Sequence, residues 1–165
     1  MTYPYINVPQ SLVSLETETI MDSGTLRKAR SDFLKIVRLE LKASLMVERA
    51  QLLFSRSSGT SYTPICAICE KPVPTPSMHE VIVTRGRAQG WRYEKYMQIF
   101  VPWNVSLVHE GECHRHAQFV LDGKKKCIYE ISKYYTRDAV LDWLHILEAF
   151  DEQRLINNIE GWSKT

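Results

Sequence analysis

The sequence predicts an α+β fold, and three observations support this prediction. Residues 25–54 lack proline and internal glycine and carry apolar side chains at helical spacing, among them Phe33, Val37, Leu41 and Leu45. Two valine-containing runs, 80–84 (Glu-Val-Ile-Val-Thr) and 105–108 (Val-Ser-Leu-Val), are typical of short strands. Residues 137–150 predict an amphipathic helix, capped by Thr136, with one face formed by Val140, Trp143, Leu144, Leu147 and Phe150.

These elements divide a chain of 165 residues into four expected parts. We expect an extended arm over 1–23, an amphipathic basic helix over 24–56, a central domain over 62–123 and a C-terminal helical segment over 124–165. A Ser/Gly-rich linker, residues 55–64, precedes the central domain. A chain of this length is expected to form one domain with helical extensions.

Charge is unevenly distributed along the chain, although the net charge is only +2. Residues 24–56 contain eight basic side chains against three acidic ones, Asp32, Glu40 and Glu48. This segment is expected to pack on the core, and its basic face would be solvated, contact phosphate, or pair with another subunit or a protein partner.

The sequence contains no apolar run near the roughly 20 residues that a membrane helix requires. It also lacks the charged and apolar regions of a signal peptide at its N-terminus. We therefore expect a cytoplasmic protein without a membrane partner. Thiols stay reduced in that compartment, so the four cysteines favour metal binding over disulfides.

The spacing of the cysteines predicts a structural zinc site. Cys66 and Cys69 form a Cys-x-x-Cys knuckle, and His109 and Cys113 supply one more nitrogen and one more sulfur downstream. Together these side chains would complete a closed tetrahedral Zn²⁺ site. A different fold of the second turn would bring in His116 or Cys127 in place of His109; otherwise Cys127 is expected to be a buried, inert thiol.

Further polar residues lie between and after these ligands, in the order His79-Glu80, Asn104 and His114. Over residues 64–120, the order Cys-x-x-Cys, His-Glu, Asn, Cys-His resembles the HNH endonucleases, in particular small phage and bacterial members with a zinc knuckle. The resemblance implies a ββα-metal fold for 62–123 and metal-dependent hydrolysis of DNA. It also implies a phage or mobile-element origin, and hence the host cytoplasm as the location.

The resemblance also implies roles for individual residues. His79 and His114 would bind the catalytic ion, which would be Mg²⁺, Mn²⁺ or another divalent cation. Glu80 stands where the family has a histidine general base, Asn104 would orient the base or its loop, and Gln118 stands where some members have a further histidine ligand. In an alternative register, His79 is the base, and the ion is held by His114 and one carboxylate such as Glu80.

Basic residues after the first predicted strand are candidates for DNA contacts. Arg85 and Arg87 would clamp phosphate, whereas Arg92 and Lys95 lie among aromatic residues that would either stack on nucleic acid or pack over the knuckle. The alternative to a nuclease is a catalytically inactive, zinc-stabilised DNA-binding or protein-interaction module. A structural or regulatory subunit that assembles through the 25–54 helix is a third hypothesis.

Overall fold

The computed structural model describes residues 3–13, 23–56 and 59–165. The predicted arm over 1–23 therefore lies partly outside the described residues. Its described part, 3–13, is anchored to the domain, because the backbone amides of Tyr5 and Ile6 donate hydrogen bonds of 3.2 and 2.9 Å to the buried side-chain oxygen of Gln98. A short 3₁₀ turn, Gln10–Leu12, follows.

The long helix α1 spans Ser23–Glu48, which is shorter than the predicted helix over 25–54. Leu41 and Leu45 are buried, and Val37 packs against the same core. The helix stops where the Arg49 guanidinium turns inward and donates hydrogen bonds to the backbone carbonyls of Val105 and Pro102. These bonds hold Arg49 in place at the end of the helix. A strand begins at Ala50, so the prediction of a helix beyond Glu48 was wrong.

A β-hairpin follows α1 at once. Strand β1, Ala50–Ser55, pairs antiparallel with β2, Gly59–Pro64, with Leu52 opposite Tyr62 in the register. The Ser/Gly-rich segment predicted as a linker therefore lies largely in strands. Gly59 begins β2 with a φ of 74°, a left-handed conformation that glycine adopts without steric cost.

A second antiparallel pair forms the centre of the molecule. Strand β3, Ser77–Glu80, pairs with β4, Val105–Val108, and His79 lies opposite Ser106. The strand predicted over 105–108 is confirmed, whereas the one predicted over 80–84 is shifted. Strand pairing ends at Glu80. Beyond it, the backbone amides of Ile82 and Val83 donate hydrogen bonds to the buried Asn104 side chain instead of to a neighbouring strand.

Between β3 and β4 lie a short helix α2, Tyr93–Tyr96, and two 3₁₀ turns, Met97–Ile99 and Pro102–Asn104. Helix α3, Glu112–Phe119, follows β4, and α4, Leu121–Ser132, packs against α3. Gly123 allows this close approach, since a Cβ atom there would lie 2.3 Å from the His116 carbonyl oxygen.

The C-terminal segment is helical, as predicted, but in two pieces beyond α4. Helix α5, Arg137–Ile146, is capped by the Thr136 hydroxyl, which accepts a hydrogen bond of 3.2 Å from the Ala139 amide. Helix α6, Phe150–Asn157, begins after a break at Glu148, where φ is 54°. Phe150 is therefore exposed rather than on the buried face that the sequence predicted.

In the described residues the fold combines these helices with two small antiparallel sheets, and α+β is the correct class. The core joins α1, the β3–β4 pair and the C-terminal helices, with Trp143 as its largest fully buried side chain. No helix in the described ranges has the length and apolar content needed to cross a bilayer. The arrangement places β3, β4 and α3 side by side, and the candidate site lies on these elements.

Candidate metal centre and adjacent cleft

The predicted zinc ligands converge. One possible ligand atom from each of Cys66, Cys69, His109 and Cys113 lies within 4.8 Å of the other three. Across residues 3–13, 23–56 and 59–165, this is the one group of three or more His, Cys, Asp or Glu side chains close enough to hold an ion. The four residues could bind a metal ion such as zinc.

Backbone hydrogen bonds shape the knuckle that carries the first two ligands. The Glu70 amide donates to the Cys66 carbonyl at 3.0 Å, and the Cys66 amide donates to the Lys71 carbonyl at 2.9 Å. Glu70 closes the turn with a φ of 59°. The Ala67 amide then donates to the Leu107 carbonyl at 3.1 Å, which ties the knuckle to β4. Both halves of the cluster are thus held by the β3–β4 unit.

The imidazole of His109 is oriented for coordination through its Nδ1 atom. Its Nε2 lies 3.0 Å from the Pro72 carbonyl oxygen, which can only accept a hydrogen bond. The Nε2 atom therefore carries the proton, and Nδ1 faces the Cys69 Sγ at 3.3 Å. A sulfur and a nitrogen ligand of one tetrahedral zinc ion lie about 3.6 Å apart. The observed distance of 3.3 Å between Sγ and Nδ1 is close to this value, so the ligand set fits zinc.

The chemistry of the thiols also suits a bound cation. Burial, followed by the hydrogen bond with Cys69, raises the pKa of Cys113. A bound cation favours the thiolate form that serves as a metal ligand. Cys127 is fully buried, and burial raises its pKa to about 12. It lies outside the cluster as an inert core thiol. His116 bonds Asp122 at 3.2 Å instead, so neither residue replaces His109.

Two further histidines, His79 and His114, form a pair. Strand β3 presents His79 and helix α3 presents His114, and their ring centroids are 5.1 Å apart with planes 85° from parallel. Gly111 makes this possible, because the turn from β4 into α3 requires its φ of 86°. Burial and then the charge of His114 lower the pKa of His79, so its imidazole stays neutral to a lower pH than an exposed histidine.

The histidine pair lies in a cleft of about 930 Å³. Basic and acidic side chains and one exposed aromatic ring share its walls, namely Arg38, Lys42, Glu80, Arg85, Glu110 and Phe119. Gln118 also lines the cleft. Unlike the knuckle, this site is open, because a large volume adjoins the imidazoles.

Glu80 is engaged with arginine on both sides. Its Oε1 accepts hydrogen bonds of 3.3 and 3.1 Å from the Nε and Nη2 atoms of Arg85, and Arg38 Nη2 lies 3.9 Å from the same oxygen. The carboxylate thus holds two guanidinium groups at the cleft wall.

Asn104 is fully buried beneath this site. Its Oδ1 accepts hydrogen bonds from the amides of Ile82 and Val83 at 2.8 and 2.9 Å, and its Nδ2 donates to the carbonyls of Val83 and Ile99. All four hydrogen bonds go to backbone groups. Asn104 therefore fixes the loop that leads from Glu80 to Arg85.

The other basic residues predicted to contact DNA lie away from the cleft walls. Arg87 donates a hydrogen bond of 2.8 Å to Glu152 of α6. Lys95 places its ammonium group 4.3 Å from the centre of the Trp91 ring, and Arg92 precedes α2 as an exposed residue. Of the four predicted contacts, only Arg85 is brought to the histidine pair.

Sequence reasoning missed the contribution of α1 to the site. Arg38 and Lys42 are one helical turn apart, and both line the cleft. Their spacing was visible in the sequence, but nothing there indicated that this face of a distant helix would meet β3.

No protein-family model, curated protein or solved structure matches this chain.

Proposed function

We propose that this protein is a metal-dependent, HNH-type endonuclease that hydrolyses phosphodiester bonds of DNA. One observation carries the proposal: an antiparallel strand pair followed by a helix brings His79 and His114 together at the floor of a basic cleft. Strand, strand and helix also follow one another in the order that the ββα-metal resemblance implies. A cytoplasmic location and a phage or mobile-element origin belong to the same proposal.

The cleft suits a phosphate backbone because cations line one wall beside the imidazoles. Arg85 offers a guanidinium group that can form two hydrogen bonds with phosphate oxygens, and Lys42 adds a second positive charge. Phe119, which is 74% exposed, offers an apolar surface to sugar or base. Such contacts position nucleic acid without reading its sequence.

His79 and His114 would hold the catalytic ion, and water and phosphate would complete its coordination. Imidazole pairs accept Mn²⁺, Ni²⁺ or Zn²⁺ readily, and Mg²⁺ less so, which implies a broad metal requirement. The bound ion would supply Lewis acidity at the phosphate and a more acidic water. In the reaction, the water oxygen bonds to phosphorus and releases a proton to solvent. The P–O bond to the leaving oxygen breaks, and that oxygen takes up a proton from solvent.

Glu80 is assigned to positioning rather than to proton abstraction. Its oxygen accepts both hydrogen bonds from Arg85 and lies near Arg38, so it orders the groups that would meet the scissile phosphate. Glu80→Gln should then lower phosphate binding and cleavage together, whereas loss of a general base would lower the catalytic rate alone.

Plasmid nicking tests the proposal. The purified full chain, first treated with EDTA at a concentration that leaves the structural zinc in place, is supplied with Mg²⁺, Mn²⁺ or Ni²⁺. We expect cleavage with at least one ion, and its loss in His79→Ala and in His114→Ala. His145→Ala, an exposed histidine on α5, is the matched control. Absence of cleavage with every ion, or full activity in both variants, would contradict the proposal.

A second function, a zinc-stabilised DNA-binding module without catalysis, is favoured by one observation. In the described residues, no third His, Cys, Asp or Glu side chain joins His79 and His114 in a ligand group. DNA binding that depends on Arg85 and Lys42, without hydrolysis under any of the conditions above, would support this alternative.

A further inference from the structure

Helix α1 has two apolar faces, and among the described residues only one of them packs against the rest of the chain. Leu41 and Leu45 face the core. On roughly the opposite side, at about 100° per residue, lie Ile36, Leu39 and Val47, with exposed fractions of 54%, 72% and 81%. A helix that is apolar on an exposed face as well as on its core face needs a partner to cover the second face.

The outer face has the spacing of a coiled-coil seam. Ile36, Leu39 and Ala43 follow one another at intervals of three and four residues, which places them at a, d and a positions of a heptad. Met46, at the next d position, is half-buried and packs against the core. Isoleucine at a with leucine at d favours two parallel strands. Ala43, exposed at the next a position, leaves room for close approach of the two helices.

Charges beside the seam indicate its orientation. Lys35 and Lys42 occupy g positions, and Glu40 occupies an e position. In a parallel pair, Lys35 of one copy faces Glu40 of the second copy, and the reverse pair forms by symmetry. An antiparallel pair would bring the lysine flanks of both copies together. Asp32 is bonded to Lys28 at 2.7 Å and marks the polar N-terminal limit of the apolar seam.

The hairpin after α1 extends this exposed surface. Leu52 and Phe54 alternate along β1, Tyr62 pairs with Leu52 across the hairpin, and all three are more than half exposed. A two-stranded hairpin with a bare apolar face has little stability of its own in water. A parallel helix pair would bring both hairpins to the same end, where these faces can meet.

We propose that α1 is the interface of a parallel homodimer, with Ile36, Leu39 and Ala43 in its seam and the Lys35–Glu40 pair setting its direction. The six exposed apolar side chains of helix and hairpin would remove roughly 700 Å² per copy from water, near the ~800 Å² per partner of a standard interface. Lys42 lies beside the seam and also lines the cleft. The dimer would therefore hold the clefts of its two copies at a fixed distance and orientation.

Sedimentation equilibrium of the full chain tests this proposal independently of any nuclease activity. We expect a mass twice the 19.2 kDa of one chain at micromolar concentration. Leu39→Asp should shift the mass to that of one chain, whereas Leu121→Asp, at an equally exposed apolar position on α4, should leave it unchanged. Because Leu39 is exposed, circular dichroism should report an intact fold in both variants.

Charge exchange tests the direction of the helices. Glu40→Lys and Lys35→Glu should each weaken association several-fold, and the double variant should restore it to within about twofold of the original. A monomeric wild-type chain, or a Leu39→Asp variant that still dimerises, would overturn the proposal. Failure of the double variant to restore association would overturn the parallel arrangement.

Discussion

The knuckle and the cleft both present metal-binding side chains, yet they differ in what surrounds those side chains. At the knuckle, four ligand atoms from Cys66, Cys69, His109 and Cys113 lie within 4.8 Å of one another, and backbone bonds fix their turn. At the cleft, two imidazoles adjoin a volume of about 930 Å³. A closed ligand set stabilises a fold, whereas an open one leaves coordination positions for water and substrate.

Removal of the knuckle metal should have the largest effect on the protein. Structural zinc contributes binding free energy comparable to or larger than the roughly 5–15 kcal/mol stability of a typical domain. We expect Cys69→Ser, or prolonged treatment with a strong chelator, to abolish the cooperative unfolding transition seen by calorimetry.

Cys127→Ala provides the matched control for that change, because Cys127 is buried outside the cluster. This variant should keep one zinc per chain by elemental analysis and a cooperative transition. Equal loss of zinc in both variants would contradict the assignment of the ligands.

Loss of the half-buried cleft histidine, His114, should give the opposite result, with activity lost and stability kept. His114→Ala is expected to lower plasmid cleavage at least about 100-fold, since metal-assisted hydrolysis has no other imidazole pair in the cleft. Its melting temperature should stay within a few degrees of the wild-type value, because His114 is only half-buried. A fall in melting temperature as large as that of Cys69→Ser would remove the distinction between the two regions.

The knuckle could be predicted from the sequence because its ligands come in two closely spaced pairs, Cys66 with Cys69 and His109 with Cys113, and each pair lies in one turn of the chain. Cys66 and Cys69 share one tight turn, and His109 follows a strand, Val105–Val108, whose position was also predicted correctly. The wall of the open region could not be predicted, because Arg38 and Lys42 come from a helix whose position depends on tertiary packing. His79 and His114 were predicted only through a family resemblance, and their 5.1 Å separation required the structure.

The extent of α1 shows a second limit of sequence reasoning. Residues 50–54 are Ala, Gln, Leu, Leu and Phe, which suit a helix as well as a strand. In the structure a strand begins directly after Arg49, whose guanidinium is anchored to the carbonyls of Val105 and Pro102 in a distant segment. Such tertiary contacts override local preference and have no local signal.

Among the basic residues that follow β3, Arg85 should contribute most to DNA cleavage. Arg85→Ala is expected to lower cleavage about tenfold, because it removes a phosphate ligand and leaves Glu80 with Arg38 alone. Arg92→Ala is the matched control, since Arg92 is exposed and absent from the cleft walls. Equal losses in the two variants would place the DNA elsewhere on the surface.

Lys42 should give the smallest effect, visible mainly in the salt dependence of binding. If Lys42 contacts one phosphate, Lys42→Ala should lower the slope of log affinity against log salt concentration by about 1. Fluorescence anisotropy with a labelled duplex measures this slope. Lys95→Ala, whose ammonium group lies over Trp91, should leave the slope unchanged.

The number and positions of bound metals test the difference between the two regions most directly. Anomalous diffraction from crystals of the full chain soaked in Mn²⁺ should locate zinc among Cys66, Cys69, His109 and Cys113. It should also locate one Mn²⁺ bound by His79 and His114. Zinc at the knuckle without any ion at the histidine pair would contradict the hydrolase and leave a stabilised scaffold.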